Sequence, residues 1–413
     1  MDHDAVPAMR RMAWLLTAAS AIVLVATASG LSLLPGAAAL AAGLVGGALS
    51  LSLALLAAGG WLAQERQRRI QQGAEDLFLL HNRAADEASV SSGRTPGPSA
   101  WRRWIAHRIF GHRWIVSDRV RVKSLAEIRS TLDASGALDG LPFMDEMAKY
   151  CGREARVYRV VDKIYDYGRT RLMRRLDDCV LLVGLRCDGG AHGGCEAACY
   201  LIWKSQWLES DVGRSAPTES GALPLQTDSG GPSYRCQYTQ LADASHPMAR
   251  FDWGRAIGPW VVGNVSARSF AIALLTRWFN ALQSMRGGMT YPSQPEGGND
   301  KTLTAAPLRA GDRVRVRLPG EIARSLDRNS KNKGLWFDRD MLKHCGLTYR
   351  VRGRIQKIID VNSGALIPMK TPCIALEGVH YSGEFQGFGE QHDYLYWREL
   401  WLQRLEPEAE SAA

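Results

Sequence analysis

The sequence predicts a membrane-anchored α+β chain, in which an N-terminal transmembrane helical hairpin precedes two duplicated small SH3-like β-barrels or rolls with helical insertions. Three observations carry the prediction. No charged side chain occurs between residues 12 and 63. A segment of more than eighty residues recurs without a gap at a shift of 194 positions. Within each copy, short runs of alternating apolar residues stand between turn residues, the pattern of half-buried strands.

The apolar run divides at Pro35-Gly36 into two segments, each long enough to cross about 30 Å of hydrocarbon as a helix. Gly43, Gly46, Gly47 and Ser50 would let the two helices approach closely. Arg10 and Arg11 precede the first segment, and Arg66, Arg68 and Arg69 follow the second, which puts both ends in the cytoplasm. The expected location is the inner (cytoplasmic) membrane, with lipid as a partner and the soluble domains facing the cytoplasm. A secretory signal is the alternative, since Ala26-Thr27-Ala28 resembles a cleavage site. The hairpin is preferred because basic residues flank both outer ends.

A polar helix from Gln64 to Glu87 and a Ser/Gly/Pro-rich break come next. The stretch "WRRWIAHRIFGHRW" then predicts an amphipathic helix capped by Ser99, with Trp101, Trp104, Ile105 and Ile109 on one face and Arg102, Arg103, His107 and Arg113 on another. Trp101, Arg102, Arg103 and Trp104 suit a membrane interface. Packing of the aromatics on the following domain is an equal alternative.

The expected domains are residues 1–64, the hairpin; 65–116, the juxtamembrane helix and basic amphipathic linker; 117–210, the first copy; 211–306, a linker with a helix from Ala267 to Gln283 packing across the two barrels; and 307–408, the second copy. In the duplication "DRVRVKSLAEIRSTLD" from Asp118 aligns with "DRVRVRLPGEIARSLD" from Asp312. Each copy opens with a short strand and a short helix, continues through two β-rich runs, and closes on a predicted helix, "YLIWKSQWL" or "LYWRELWL". Cys151 and Cys179 recur as Cys345 and Cys373 beside the same apolar neighbours, as core thiols would. Asp166/Asp360 and Glu127/Glu321 recur as well, and a turn acid and a helix-surface acid explain them.

The segments "GLPFMDEMAKYCGR", "LRCDGGAHGGC", "YRCQ", "GLWFDRDMLKHCG" and "YWRELWL" give a pattern that resembles an uncharacterised bacterial family of tandem-repeat proteins with a CDG-x2-HGGC-x3-C cluster, over roughly Arg119 to Leu405. The resemblance implies the domain limits and the cluster, and it implies no activity. Relatives of this kind usually keep cysteines in the second copy near Tyr381 and Gln391, and many lack the hairpin; this chain departs from both habits.

The cluster itself comprises Cys187, His192, Cys195 and Cys199, four soft donors within thirteen residues, the number and kind that tetrahedral zinc takes. Gly189, Gly190, Gly193 and Gly194 supply the tight turns needed to gather them. Cys195 and Cys199 are expected at the start of a helix, projecting from one face with their pKa lowered by the helix terminus. In the second copy the four positions become Tyr381, Gln386, Gly389 and Asp393, so the whole quartet is lost together. A structural zinc site is the favoured reading. An iron–sulfur cluster is the alternative, because "CDG" followed by His192 is similar to CDGSH-type proteins and Cys236 could join as an additional ligand in place of His192. Thiol redox chemistry, or a loop without metal, is the third.

Composition narrows the function. There are 51 Lys and Arg against 42 Asp and Glu, a formal charge of +9, which favours acidic partners. Eight cysteines, clustered, suit metal chemistry better than a disulfide scaffold. "DSGGP" at Asp228 mimics a serine-protease nucleophile segment but lies in a linker with no matching histidine context, and no phosphate-binding loop, HExxH or dinucleotide fingerprint occurs in the soluble part. The expectation is a membrane-anchored, non-enzymatic accessory protein with an unidentified protein partner. A redox subunit using the cluster is the alternative, and nucleic acid is disfavoured because the basic residues are spread along the chain.

Overall fold

In the computed structural model the described residues are 97–210, 233–248 and 253–405, apart from 289, 294, 296, 299–303 and 385–387. They open with helix α1 (Ala100–Arg108), followed by strand β1 (Arg119–Val122) and α2 (Leu125–Arg129). Ser124 starts α2 with a reciprocal cap: its hydroxyl accepts from the Glu127 N–H, and Glu127 accepts from the Ser124 N–H at 2.9 Å. That accounts for the recurring acid. Glu321 does the same for the Leu318 N–H in the second copy.

The first copy continues with the small hairpin β2 (Ala137–Leu138) and β3 (Leu141–Pro142), α3 (Asp145–Ala148), and the long strands β4 (Glu154–Tyr165) and β5 (Met173–Arg186). Asp166 turns the chain between them, accepting from the N–H groups of Gly168 and Thr170. Strands β6 (Tyr200–Lys204) and β7 (Leu208–Glu209) complete the sheet in the order β6-β5-β4-β1-β7, all antiparallel, and β8 (His246–Pro247) pairs with β5. Between the copies lie α4 (Leu241–Ala244), α5 (Trp253–Val261) and α6 (Ala267–Met285).

The second copy repeats the plan: β9 (Arg313–Val316), α7 (Pro319–Arg324), the hairpin β10 (Lys331–Asn332) and β11 (Leu335–Trp336), then β12 (Thr348–Ile359), β13 (Leu366–His380), β14 (Tyr394–Trp397) and β15 (Leu402–Arg404), ordered β14-β13-β12-β9-β15. The cores match in detail. Phe143 meets Trp207 edge-on at 5.3 Å, and Phe337 meets Trp401 edge-on at 5.3 Å. The Trp207 indole donates to the Thr131 hydroxyl and the Trp401 indole to that of Ser325, 194 positions on. Trp203, Trp207, Trp397 and Trp401 are all fully buried, as are Cys179 and Cys373.

Several expectations are corrected. The described chain is mostly sheet with few helices, not α+β, and in each copy five antiparallel strands form one path in which the last strand pairs with the first. The segments expected to close each copy as helices are strands joined by a single 3-10 turn. Tyr200–Lys204 is buried at every position, and a continuous apolar run carries no period that separates helix from strand. Among the described residues no helix is long and apolar enough to cross a membrane, so the membrane-anchored class and the inner-membrane location are not supported. The hairpin expected over residues 1–64 lies outside the described residues. Among the described residues helix α6 falls in the unit Ala267–Pro295, and both copies fall in the other unit.

Candidate metal centre

Strands β5 and β6 set the base of the loop that carries the cluster. Arg186 pairs with Tyr200 across the ladder, and one step on the Cys187 N–H donates to the Cys199 carbonyl at 2.9 Å. Between them the chain turns tightly: the N–H groups of His192 and Gly194 both donate to the Gly189 carbonyl, at 3.0 and 2.8 Å. Gly189 has φ +73°, and a Cβ there would stand 2.1 Å from the Cys195 carbonyl oxygen. Only glycine fits.

Helix α3 presents Glu146 to this loop from a buried position, 6% exposed, opposite His192 at 1%. His192 Nδ1 lies 2.6 Å from Glu146 Oε1, Cys187 Sγ lies 3.7 Å from the same oxygen, and Sγ and Nδ1 are 3.9 Å apart. The Ala191 N–H also donates to Glu146 Oε1 at 3.2 Å, and the Gly189 N–H donates to Cys187 Sγ at 3.4 Å. Glu146 Oε2 is buried without a hydrogen-bond partner.

The electrostatics follow from this packing. Burial opposes charge on His192, but the Glu146 carboxylate outweighs it and lifts the imidazole above its ordinary range. Burial would likewise raise Glu146, and the histidine beside it holds it below the usual carboxylate value. The Cys187 thiol is pushed far up by burial, then by the neighbouring carboxylate and by Cys195 and Cys236. Cys199 is raised well above its ordinary value by burial and by Asp393 and the other three thiols. A dication reverses these preferences, since it favours thiolate and neutral imidazole together.

Glu146, Cys187 and His192 form a group that can hold a metal ion, their ligand atoms all within 4.8 Å of one another. Two features of the surroundings fit a metal. His192 Nε2 faces the Arg235 carbonyl at 3.3 Å, the outer hydrogen bond that fixes a ligating imidazole when its other nitrogen is bound. The orphaned Glu146 Oε2 is a lone-pair donor with nothing to bind.

Of the residues expected from sequence, Cys187 and His192 are brought together. Cys195 and Cys199 lie on the same loop but outside this three-atom group; the Cys195 N–H donates to the His192 carbonyl at 3.2 Å. Residues 195–199 are not helical, which corrects the expected helix start, and burial raises Cys199 where a helix terminus would have lowered it. Four glycines and the β5/β6 ladder leave no length for a helical turn. Cys236 is half-buried against the first copy's core, next to the Arg235 carbonyl that faces His192. Glu146 was missed because it lies 41 residues upstream of Cys187. One signal was present: the 194-residue shift pairs Glu146 with Asp340, so an acid recurs at that place.

Asp340 explains how the second copy does without the cluster. Its Oδ2 accepts from the N–H groups of Ser382 and Gly383, at 2.6 and 3.1 Å, and from the Ser382 hydroxyl at 2.9 Å. These residues match Asp188 and Gly189. The acid that meets His192 and Cys187 in one copy ties the equivalent loop by hydrogen bonds in the other.

The residues expected at a membrane interface lie on α1, which packs on α5. Trp101 stacks obliquely on Trp260 at 5.5 Å, Arg102 donates to the Trp260 carbonyl, and Arg103 pairs with Asp118 at 2.7 Å, while Trp104 is exposed. Ser99 precedes the helix but makes no side-chain cap. Comparison with protein-family models, curated proteins and solved structures finds no match to this chain.

Proposed function

We propose that the protein is a non-enzymatic binding module, an accessory to an unidentified protein partner, whose first copy is held by a structural zinc ion. The observation that carries this reading is the burial of the donor group: His192 and Glu146 are both more than nine-tenths buried, beside the half-buried Cys187. Closed sites with sulfur and imidazole donors are structural, whereas catalytic zinc keeps a position open. Cys187, His192 and Glu146 would be three ligands, and Cys195, on the same loop with its N–H bonding the His192 carbonyl, the fourth. The ion would clamp α3 to the β5–β6 loop.

An iron–sulfur or thiol redox role is the second reading, favoured by the placement of Cys187, Cys195 and Cys199 on one loop with Cys236 half-buried against the same core. Metal analysis and the visible spectrum of the purified full chain separate the two. One equivalent of zinc in a colourless protein, lost in Cys187→Ser and in His192→Ala, supports the structural site. Iron with visible absorbance, or unchanged zinc in both variants, overturns it.

A further inference from the structure

The two copies meet around a second polar centre. Arg186 and His380 are related by the 194-residue shift, and each pairs across its ladder with a tyrosine, Tyr200 or Tyr394. The Arg186 guanidinium lies 3.7 Å from the Tyr200 ring centroid and 4.3 Å from that of Tyr394. His380 lies 4.6 Å from Tyr394 and 4.8 Å from His392, centroid to centroid, and the Tyr158 hydroxyl is 2.7 Å from His392 Nδ1. Arg159 reaches over Tyr158, and Arg352 over Tyr394 from the exposed side.

This centre is rich in donors. Arg159 is 5% exposed and His380 is 6%, and Arg159 Nε and His380 Nε2 are both buried without a hydrogen-bond partner. His344 Nε2 is a third such atom. Among the described residues none of Arg159, Arg186 and Arg352 forms an ion pair with a carboxylate. Asp393, the acid that feels Arg186, is taken up by the Tyr238 hydroxyl at 2.8 Å. After burial, the groups that act on His380 are Arg186, Arg159, Lys343 and Arg352, all cations, and together they push it down to about 2. Ordered water can satisfy a lone N–H. It leaves the buried Arg159 charge without a counter-charge, which opposes its burial.

We propose that the junction of the two copies binds an oxyanion of the phosphate class, with Arg159 and His380 as its donors, Arg186 as a neighbouring charge that already donates to the Ala198 and His392 carbonyls, and Arg352 at its open side. Guanidinium groups offer the forked donors that such oxygens accept, and the tyrosine pair fixes one of them in place. The source is either free phosphate or the phosphate group of a small metabolite. The site is separate from the proposed zinc and does not depend on it.

The test is equilibrium dialysis of the full chain against radiolabelled inorganic phosphate, with chloride added to hold ionic strength constant. Saturable binding of one equivalent is expected, at least tenfold weaker in Arg159→Gln and in His380→Gln. Arg352→Ser, at an exposed position, serves if either buried variant fails to fold, and a loss of threefold or more is expected there. Arg129→Gln, on the exposed end of α2, removes the same charge elsewhere and should leave binding unchanged. Competition by a phosphomonoester at lower concentration than inorganic phosphate assigns the source to a metabolite, and the reverse order to the free ion. Absence of saturable binding overturns the proposal, as does equal binding in the wild type and the three site variants, or an equal loss in Arg129→Gln.

Discussion

Glu196 and Glu390, 194 positions apart, grip each other's copy in the same way. Glu196 Oε2 accepts from the N–H groups of Gln356 and Lys357 at 2.5 and 3.4 Å, while Glu390 Oε2 accepts from those of Asp162 and Lys163 at 2.6 and 2.9 Å. The reverse bonds match too: the Glu196 N–H donates to the Lys357 carbonyl, and the Glu390 N–H to that of Lys163. The copies therefore meet as a pseudo-twofold pair, the self-complementary arrangement of a homodimer interface built within one chain.

This contact predicts a pH dependence. Burial raises Glu390 to about 7, and Asp162 pushes the same way against Lys163 and the backbone donors. A carboxyl whose folded pKa lies above its unfolded value contributes stability that is complete below the unfolded value and is lost as pH rises through the folded one. The unfolding midpoint should fall between about pH 5 and pH 7.5, and Glu390→Gln should flatten that slope. Thermal melts of both proteins across that range check it; equal slopes would refute the assignment to Glu390.

Removal of a ligand should act on one copy only. Cys187→Ser is expected to release the metal and destabilise the first copy, because metal-binding free energy at a structural site is folding free energy. Asp340→Ala should leave the metal content unchanged and cost about 1–3 kcal/mol in the second copy, through three lost hydrogen bonds to a buried acid. Metal content measured beside a denaturant titration distinguishes the two.

Gly189→Ala should behave like a ligand mutation without touching a ligand. The added Cβ collides with the Cys195 carbonyl, and the residue is already at positive φ. Strain of about 1–3 kcal/mol is expected, with weaker metal retention during chelator challenge. Gly184→Ala, also at positive φ but with no atom within 4 Å of its Cβ, should be milder and keep the metal.

Truncating the matched tryptophans measures the two cores against each other. Trp207→Ala and Trp401→Ala should each cost about 3–5 kcal/mol, the usual loss for a buried indole. Each also removes an indole donor from a hydroxyl, that of Thr131 or Ser325, which keeps its own bond to a backbone carbonyl. A difference of more than about 2 kcal/mol between them, read by chemical denaturation, would show that the copies are not energetically equivalent.

The duplication was legible because it needs only residue identity at a fixed shift, and the strand orders of the two copies coincide. The pairing of Cys187 with His192 was legible from spacing, since a glycine-rich turn can join residues five apart. Glu146 was not, because the α3 contact spans residues far apart in sequence and local periodicity says nothing about it. The closing segments were misread for a different reason. Aromatic residues at Trp203, Trp207, Trp397 and Trp401 fit a helical stripe, but Trp203 sits in a strand buried on both faces, which removes the alternation that marks a strand, and Trp207 and Trp401 sit on the 3-10 turns that follow Trp203 and Trp397. The polar junction of the copies was not legible because Arg186 and Tyr394 lie in different copies and meet only in the fold.

Each copy begins and ends at one place. β1 lies between β4 and β7, so the first strand pairs with the last, Val122 with Leu208, and in the second copy Val316 pairs with Leu402. Chain entry and exit are therefore neighbours, the property that lets a domain be inserted into a host loop with little disturbance. A gene segment encoding one copy could be spliced in at a single point. Growth by insertion is open to this architecture wherever a surface turn offers two adjacent ends.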